Sequence, residues 1–161
     1  MTPKQQSDFI ASLVPGAQAT QKQYHVFASV TIAQAIFESS WGQSLLTLHA
    51  NNLFGIKATP DWKGETYTTQ TAEDHPDGSQ YFVEAKFRKY PDMAASIADH
   101  GSFLANNGKP VRYMAALNCL DGPSQADAIA AAGYSTNPQY ASMLCQEIHA
   151  RNLTQYDSTS T

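Results

Sequence analysis

One carboxylate interrupts an otherwise uncharged run: residues 32–42 read Ile-Ala-Gln-Ala-Ile-Phe-Glu-Ser-Ser-Trp-Gly, and Glu38 carries the only charge in it. Between residues 26 and 37 the polar side chains are Ser29, Thr31 and Gln34 alone, so the segment has no broad polar face and predicts a helix buried in the middle of a domain. Gly42 marks its end. Glu38 then falls in the last turn, where the negative end of the helix dipole disfavours a further negative charge. Withdrawal from bulk water and the dipole both push its pKa up. A carboxyl that stays protonated near neutral pH can give its proton to a leaving oxygen, which is the chemistry of glycoside cleavage. The alternative is an ordinary surface glutamate at a helix end, and this run alone leaves both open.

Other chemistries find less support. Cys119 and Cys145 lie on separate helical stretches and read as buried thiols, with an inter-helix disulfide as the alternative outside the cell. No histidine stands in a partner motif for either thiol. The five histidines are dispersed, without HExxH or paired ligand spacing, so no metal site and no cofactor is expected. The ten Lys and Arg are scattered in a chain of net charge -4, which argues against a nucleic-acid partner. No run approaches membrane-spanning length, and the polar start Met1-Thr-Pro-Lys-Gln-Gln is not a secretory signal.

The elements that must position Glu38 follow from punctuation and period. The 161 residues suffice for one domain with a real core, assigned to 1–154, with 155–161 as a disordered tail. Thr2 caps a first helix that Pro15-Gly16 should break, and a second segment from Ala17 leads into the helix carrying Glu38. Asn51 to Lys57 predicts a tight loop or short extended piece. Residues 65–71 and 81–87 are β-prone runs around His75-Pro-Asp-Gly-Ser79, a hairpin-like lobe with a polar tip. Helices then return: 93–104, 112–120, 125–132 capped by Ser124, and a last one opened by Asn137-Pro138. The plan is α+β with two lobes, and a cleft between them puts Glu38 on one wall and hairpin residues on the other.

Several motifs occur in one order: Glu38-Ser-Ser-Trp-Gly42, Asn52-Leu-Phe-Gly-Ile-Lys57, Trp62-Lys-Gly64, Phe87-Arg-Lys-Tyr90, Ser96-Ile-Ala-Asp-His100 and Gly133-Tyr-Ser-Thr-Asn-Pro-Gln-Tyr140. Together they resemble glycoside hydrolase family 73, the bacterial glucosaminidase domains of autolysins and of the flagellar peptidoglycan hydrolase, over residues 9–153. The resemblance implies a lysozyme-like, mainly helical fold with a small β-hairpin lobe. It also implies cleavage of peptidoglycan strands between N-acetylglucosamine and N-acetylmuramic acid. The protein is expected to act outside the cell or at the cell wall, as a monomer that neither inserts in membranes nor needs a cofactor.

Carried onto this chain, the resemblance makes Glu38 the general acid and Glu73, in Thr71-Ala-Glu73, the base that activates water, with Glu65 and Asp74 as fallbacks. Tyr134 matches the tyrosine of the Gly-Tyr-Ala-Thr-Asp-Pro motif and is expected to orient the sugar or the acid. The chain departs from that motif at Ser135 and Asn137, and Ser40 replaces a glycine of the Glu-Ser-Gly-Trp-Gly run. Trp62 and Tyr67, at the hairpin entrance, are expected to pack against sugar rings. Phe54 and Trp41 offer further faces from runs that look buried. Asn52 either bonds an acetamido group or satisfies loop backbone. A muramidase or lytic transglycosylase on the same fold, and a non-catalytic wall-binding module, are the competing readings.

Overall fold

The helix that ends in Glu38 is the centre of the molecule. The computed structural model describes residues 1–75 and 77–158, except the side chains of Glu73 and Asp74. In it, α2 (Ala28–Glu38) is buried from Ala28 through Ile36, polar residues included. The element order is α1 (Pro3–Tyr24), α2, α3 (Leu45–Ala50), the hairpin of β1 (Thr66–Asp74) and β2 (Gln80–Arg88), then α4 (Met93–Asn106), α5 (Met114–Leu117), α6 (Gly122–Ala131), α7 (Tyr140–Ala150) and a 3-10 turn at Leu153–Tyr156.

Burying the start of a helix strands its first amides, and α2 has no cap of its own: Phe27, at the N-cap, offers no side-chain acceptor. Three distant side chains fill the role. Gln125 accepts from the Phe27 amide at 2.7 Å, Gln21 from Ala28 at 3.2 Å and Asp157 from Ser29 at 2.7 Å. Asp157 also accepts from the Ser29 hydroxyl at 2.8 Å. Residues 155–158, expected to begin a disordered tail, are therefore held against the core, because they complete this cap; 159–161 lie outside the described residues. Removing the Asp157 carboxylate leaves a buried donor unpaired and takes a negative charge from a helix N-terminus. Asp157→Ala is expected to cost about 1–2 kcal/mol in denaturant unfolding, and an unchanged midpoint would refute this capping role.

α1 runs straight through Pro15-Gly16, contrary to the expected break. A proline in mid-helix costs about 3 kcal/mol, but tertiary packing outweighs it. Ile10, Leu13, Ala17, Thr20 and Gln21 form one buried face, and α4 crosses it closely through two glycines. A Cβ on Gly16 would lie 3.2 Å from Ile97, and one on Gly101 would collide with Thr20. Elsewhere the boundaries shift for local reasons. Asp121, rather than Ser124, caps α6 by accepting from the Ser124 amide at 2.8 Å, since Pro123 fits the first turn and has no amide to satisfy. Asn137 accepts from the Gln139 amide at 2.9 Å, a turn that delays α7 to Tyr140. The expected 112–120 helix shortens to Met114–Leu117.

The antiparallel hairpin pairs Thr66 with Arg88 through to Asp74 with Gln80. It is mostly exposed, and Phe87 is its buried foot in β2. A bridge from Lys57 to Phe87 ties the 52–57 loop to that foot. Cys119 and Cys145 are both unpaired and half-buried, so neither a disulfide nor fully buried thiols are found. Among the described residues no helix is long and apolar enough to cross a membrane.

Candidate active site

Glu38 is the last residue of α2, and the chain turns away from it sharply. Ser40, Trp41 and Gly42 all take left-handed conformations, with φ of 51°, 61° and 76°. Packing forces this path. A Cβ on Gly42 would lie 2.6 Å from the Phe9 ring, and Trp41 lies between Phe9, at 6.1 Å, and the Arg151 guanidinium, at 5.1 Å. Ser39 braces the turn by accepting from the Gly42 amide at 2.7 Å. A left-handed serine carries a steric cost that glycine does not. Ser40→Gly is expected to stabilise the fold by about 1 kcal/mol, raising the melting temperature by about 2–4 °C. A melting temperature that stays level or falls would count against strain at this position.

The turn aims Glu38 into a cleft of about 410 Å³ whose walls include Phe54, Lys57, Arg88, Arg112 and Tyr134. Glu38 is exposed as a residue, so it is less withdrawn from water than the apolar run predicts. The cleft walls still crowd its carboxyl, and this partial desolvation raises the pKa above the ordinary carboxylate value. One hydrogen bond opposes the rise: the Tyr140 hydroxyl donates to Oε1 at 2.8 Å. Gln34 in turn donates to that hydroxyl from 3.0 Å. Burial, then the Glu38 charge, hold the Tyr140 pKa far above its usual value, so it remains a donor at every pH of interest.

Tyr134 lies beside this chain without bonding the acid. Its ring stacks on Tyr140, centroids 5.6 Å apart and 19° between planes, and its hydroxyl lies 3.2 Å from His100 Nε2. His100 is fully buried, which depresses its pKa to about 3, so it is neutral under all ordinary conditions. It stacks on Phe54 at 3.8 Å. Tyr134 and Phe54 thus form one aromatic wall, fixed from behind by a neutral imidazole.

The remaining expected substrate contacts are employed elsewhere. Asn52 is 1% exposed; its amide donates to the Ile56 and Arg88 carbonyls at 3.0 and 2.8 Å and accepts from the Ile56 amide at 3.1 Å. Of its two readings, loop satisfaction is the one found. Trp62 donates to the Glu65 carbonyl at 2.8 Å, lies under the Arg88 guanidinium at 4.8 Å and meets Tyr90 edge-on. It fastens the hairpin base and lines a separate cavity of about 560 Å³. Tyr67 stacks on His49 at 5.6 Å and is not among the residues lining the cleft. The fallback Glu65 pairs with Lys89 at 3.1 Å, beside that second cavity. Glu73 stands in β1 opposite Tyr81; its side chain, and that of Asp74, lie outside the described residues.

Sequence reading missed Tyr140 and the cleft cations. Tyr140 closes the Gly133 to Tyr140 motif, and the Asn137-Pro138 pair hid it inside an expected helix rather than at its first turn. Lys57, Arg88 and Arg112 are 24 or more residues apart in sequence, so no local pattern marks them as neighbours.

Residues 14–153 match the family described as mannosyl-glycoprotein endo-beta-N-acetylglucosaminidase. The chain is 37% identical over 158 residues to the exo-glucosaminidase LytG of Bacillus subtilis (strain 168), a match covering 97% of this chain and 55% of that protein. It is 38% identical over 142 residues to the peptidoglycan hydrolase FlgJ of Vibrio parahaemolyticus, covering 86% and 45% respectively. The catalytic domain of the autolysin Auto from Listeria monocytogenes has the same fold, with a TM-score of 0.87 and 34% identity over 98% of this chain and 90% of that one. The chain spans about half the length of the first two relatives.

Proposed function

Since this chain belongs to the glucosaminidase family of glycoside hydrolases, we propose that it hydrolyses peptidoglycan at the β-1,4 bond between N-acetylglucosamine and N-acetylmuramic acid, with Glu38 as general acid. The observation that carries this reading is the carboxyl of Glu38, directed into the cleft, crowded enough to raise its pKa and held by Tyr140 at 2.8 Å. A glycan strand lying in the cleft puts its glycosidic oxygen beside the protonated carboxyl. Proton transfer lets the bond break as positive charge develops on the sugar ring. Tyr134 and Phe54 supply the wall along which the sugar lies.

Glu73 is the proposed base. A separation of about 6.5–9.5 Å from Glu38 leaves room for a water and gives inversion. A more remote Glu73 leaves the substrate's own 2-acetamido group as nucleophile, with retention. The names of the similar proteins, an autolysin and a peptidoglycan hydrolase among them, support action at the cell wall. Mass spectrometry of fragments released from purified peptidoglycan tests the reading. N-acetylglucosamine at the new reducing ends is the expected result. Reducing or anhydro-muramic ends would move the cut to the other linkage, and glycan binding without any release would make this a wall-binding module.

A further inference from the structure

The cleft collects positive charge in a protein whose net charge is -4, and the cations in it are not equivalent. Arg88 is neutralised: its Nη1 donates to both oxygens of Asp99, at 2.9 and 2.8 Å. Arg112 is held differently. Its Nε donates to the Ala132 carbonyl at 2.8 Å and its Nη2 to the Gly133 carbonyl at 2.7 Å, while its guanidinium lies 5.5 Å from the Tyr113 ring. The approach depends on Gly133, where a Cβ would lie 2.8 Å from Nη2.

Every one of these partners is uncharged. Among the described residues Arg112 has no carboxylate within ion-pair distance and no acceptor for Nη1. Neutral acceptors fix the orientation of the guanidinium without cancelling its charge, so the ordering cost of an ion pair is met before any ligand arrives. Arg112 is exposed and lines the same cleft as Glu38.

We infer that Arg112 is a specificity-determining residue that receives a carboxylate of the substrate. This rests on the peptidoglycan reading above and names the group that the cleft selects. N-acetylglucosamine is neutral, so the carboxylate belongs to an N-acetylmuramic acid residue of the strand. It is the free lactyl carboxylate in a peptide-stripped strand, or a carboxylate of the stem peptide where the lactyl group is amidated. An arginine suits either, since its N–H donors match the two oxygens and a charge-assisted bond is about twice as strong as a neutral one.

The test compares ligands that differ only in charge, using Glu38→Gln protein so that binding is read without turnover. Calorimetric titration is made with a peptide-stripped strand, with the same strand after conversion of its lactyl carboxylates to neutral amides, and with a peptide-bearing strand. The protein is expected to prefer a carboxylate-bearing strand to the neutral one by about tenfold or more. A second Arg112→Gln substitution should abolish that preference while leaving affinity for the neutral strand in place. Preference for the stripped strand identifies the lactyl group, and preference for the peptide-bearing strand alone identifies the stem peptide. Equal loss of affinity for all strands would make Arg112 a brace for the Gly133 loop only and overturn the inference, as would equal affinity of the parent protein for charged and neutral strands. Absence of reducing-end release by the wild type is a separate result, and it strikes the proposed reaction instead.

Discussion

Glu38→Gln is expected to lower the rate of reducing-end release from peptidoglycan by about 10²–10⁴-fold, the usual contribution of a positioned acid. Gln keeps the shape of the side chain and can still accept from Tyr140, so the loss is chemical and not conformational. The folded protein holds the Glu38 pKa above its ordinary value. Ionisation of Glu38 is therefore less favourable in the folded chain than in the unfolded one. Its contribution to stability is fully present below the unfolded pKa and is lost as pH rises through the folded value. A neutral Gln escapes that loss, so the variant should melt no lower than wild type at neutral pH. The same shift is expected to shape the wild-type activity: with Glu38 as the proposed acid, turnover should decline on the alkaline side as its carboxyl ionises. A variant retaining more than a tenth of wild-type turnover would remove Glu38 from the role of acid.

Tyr140→Phe is expected to act on both catalysis and stability. The lost hydroxyl stabilised the Glu38 carboxylate, so its removal raises the Glu38 pKa further and moves the alkaline limb of the pH profile to higher pH. Maximal turnover should nevertheless fall about tenfold or more, because the bond that holds the acid in place, and that strengthens as its carboxylate forms during proton transfer, is lost. Gln34 suffers as well. It is fully buried, its Oε1 already has no partner among the described residues, and its amide donates to the Tyr140 hydroxyl. Losing that acceptor should cost about 1–3 kcal/mol. A pH profile that stays in place, or moves the other way, would show that Tyr140 does not tune the acid.

The sequence carried the position of the proposed acid because the signal is local. Residues 26–37 are short of polar side chains and longer than a buried strand, so a buried helix is their simplest state, and Glu38 follows as its first charge. The hairpin was legible for a similar reason: two β-prone runs flank a tip rich in turn formers, and β1 and β2 formed there. The order of motifs identified the family, which the family match and the fold of the Listeria autolysin domain bear out. Aromatic residues were harder to read. Trp62 and Tyr67 have the composition of a sugar platform, but ring faces are equally useful for fastening a hairpin, and composition does not say which neighbour reaches the face first.

What the sequence determined by itself is set by interactions within a turn or two: where helices and strands form, and which helix ends in a carboxyl. What only the tertiary structure decided is set by partners far along the chain. The Tyr140 bond to Glu38 spans 102 residues, and the caps that Gln125 and Asp157 place on α2 span 98 and 128. The α4 crossing that carries α1 past Pro15, and the cleft that brings Arg112 to Glu38, are of the same kind. The physical reason is that propensity and periodicity record the chain's local conformational free energy, whereas a hydrogen-bond partner or a charge neighbour is chosen by which surfaces the core brings together.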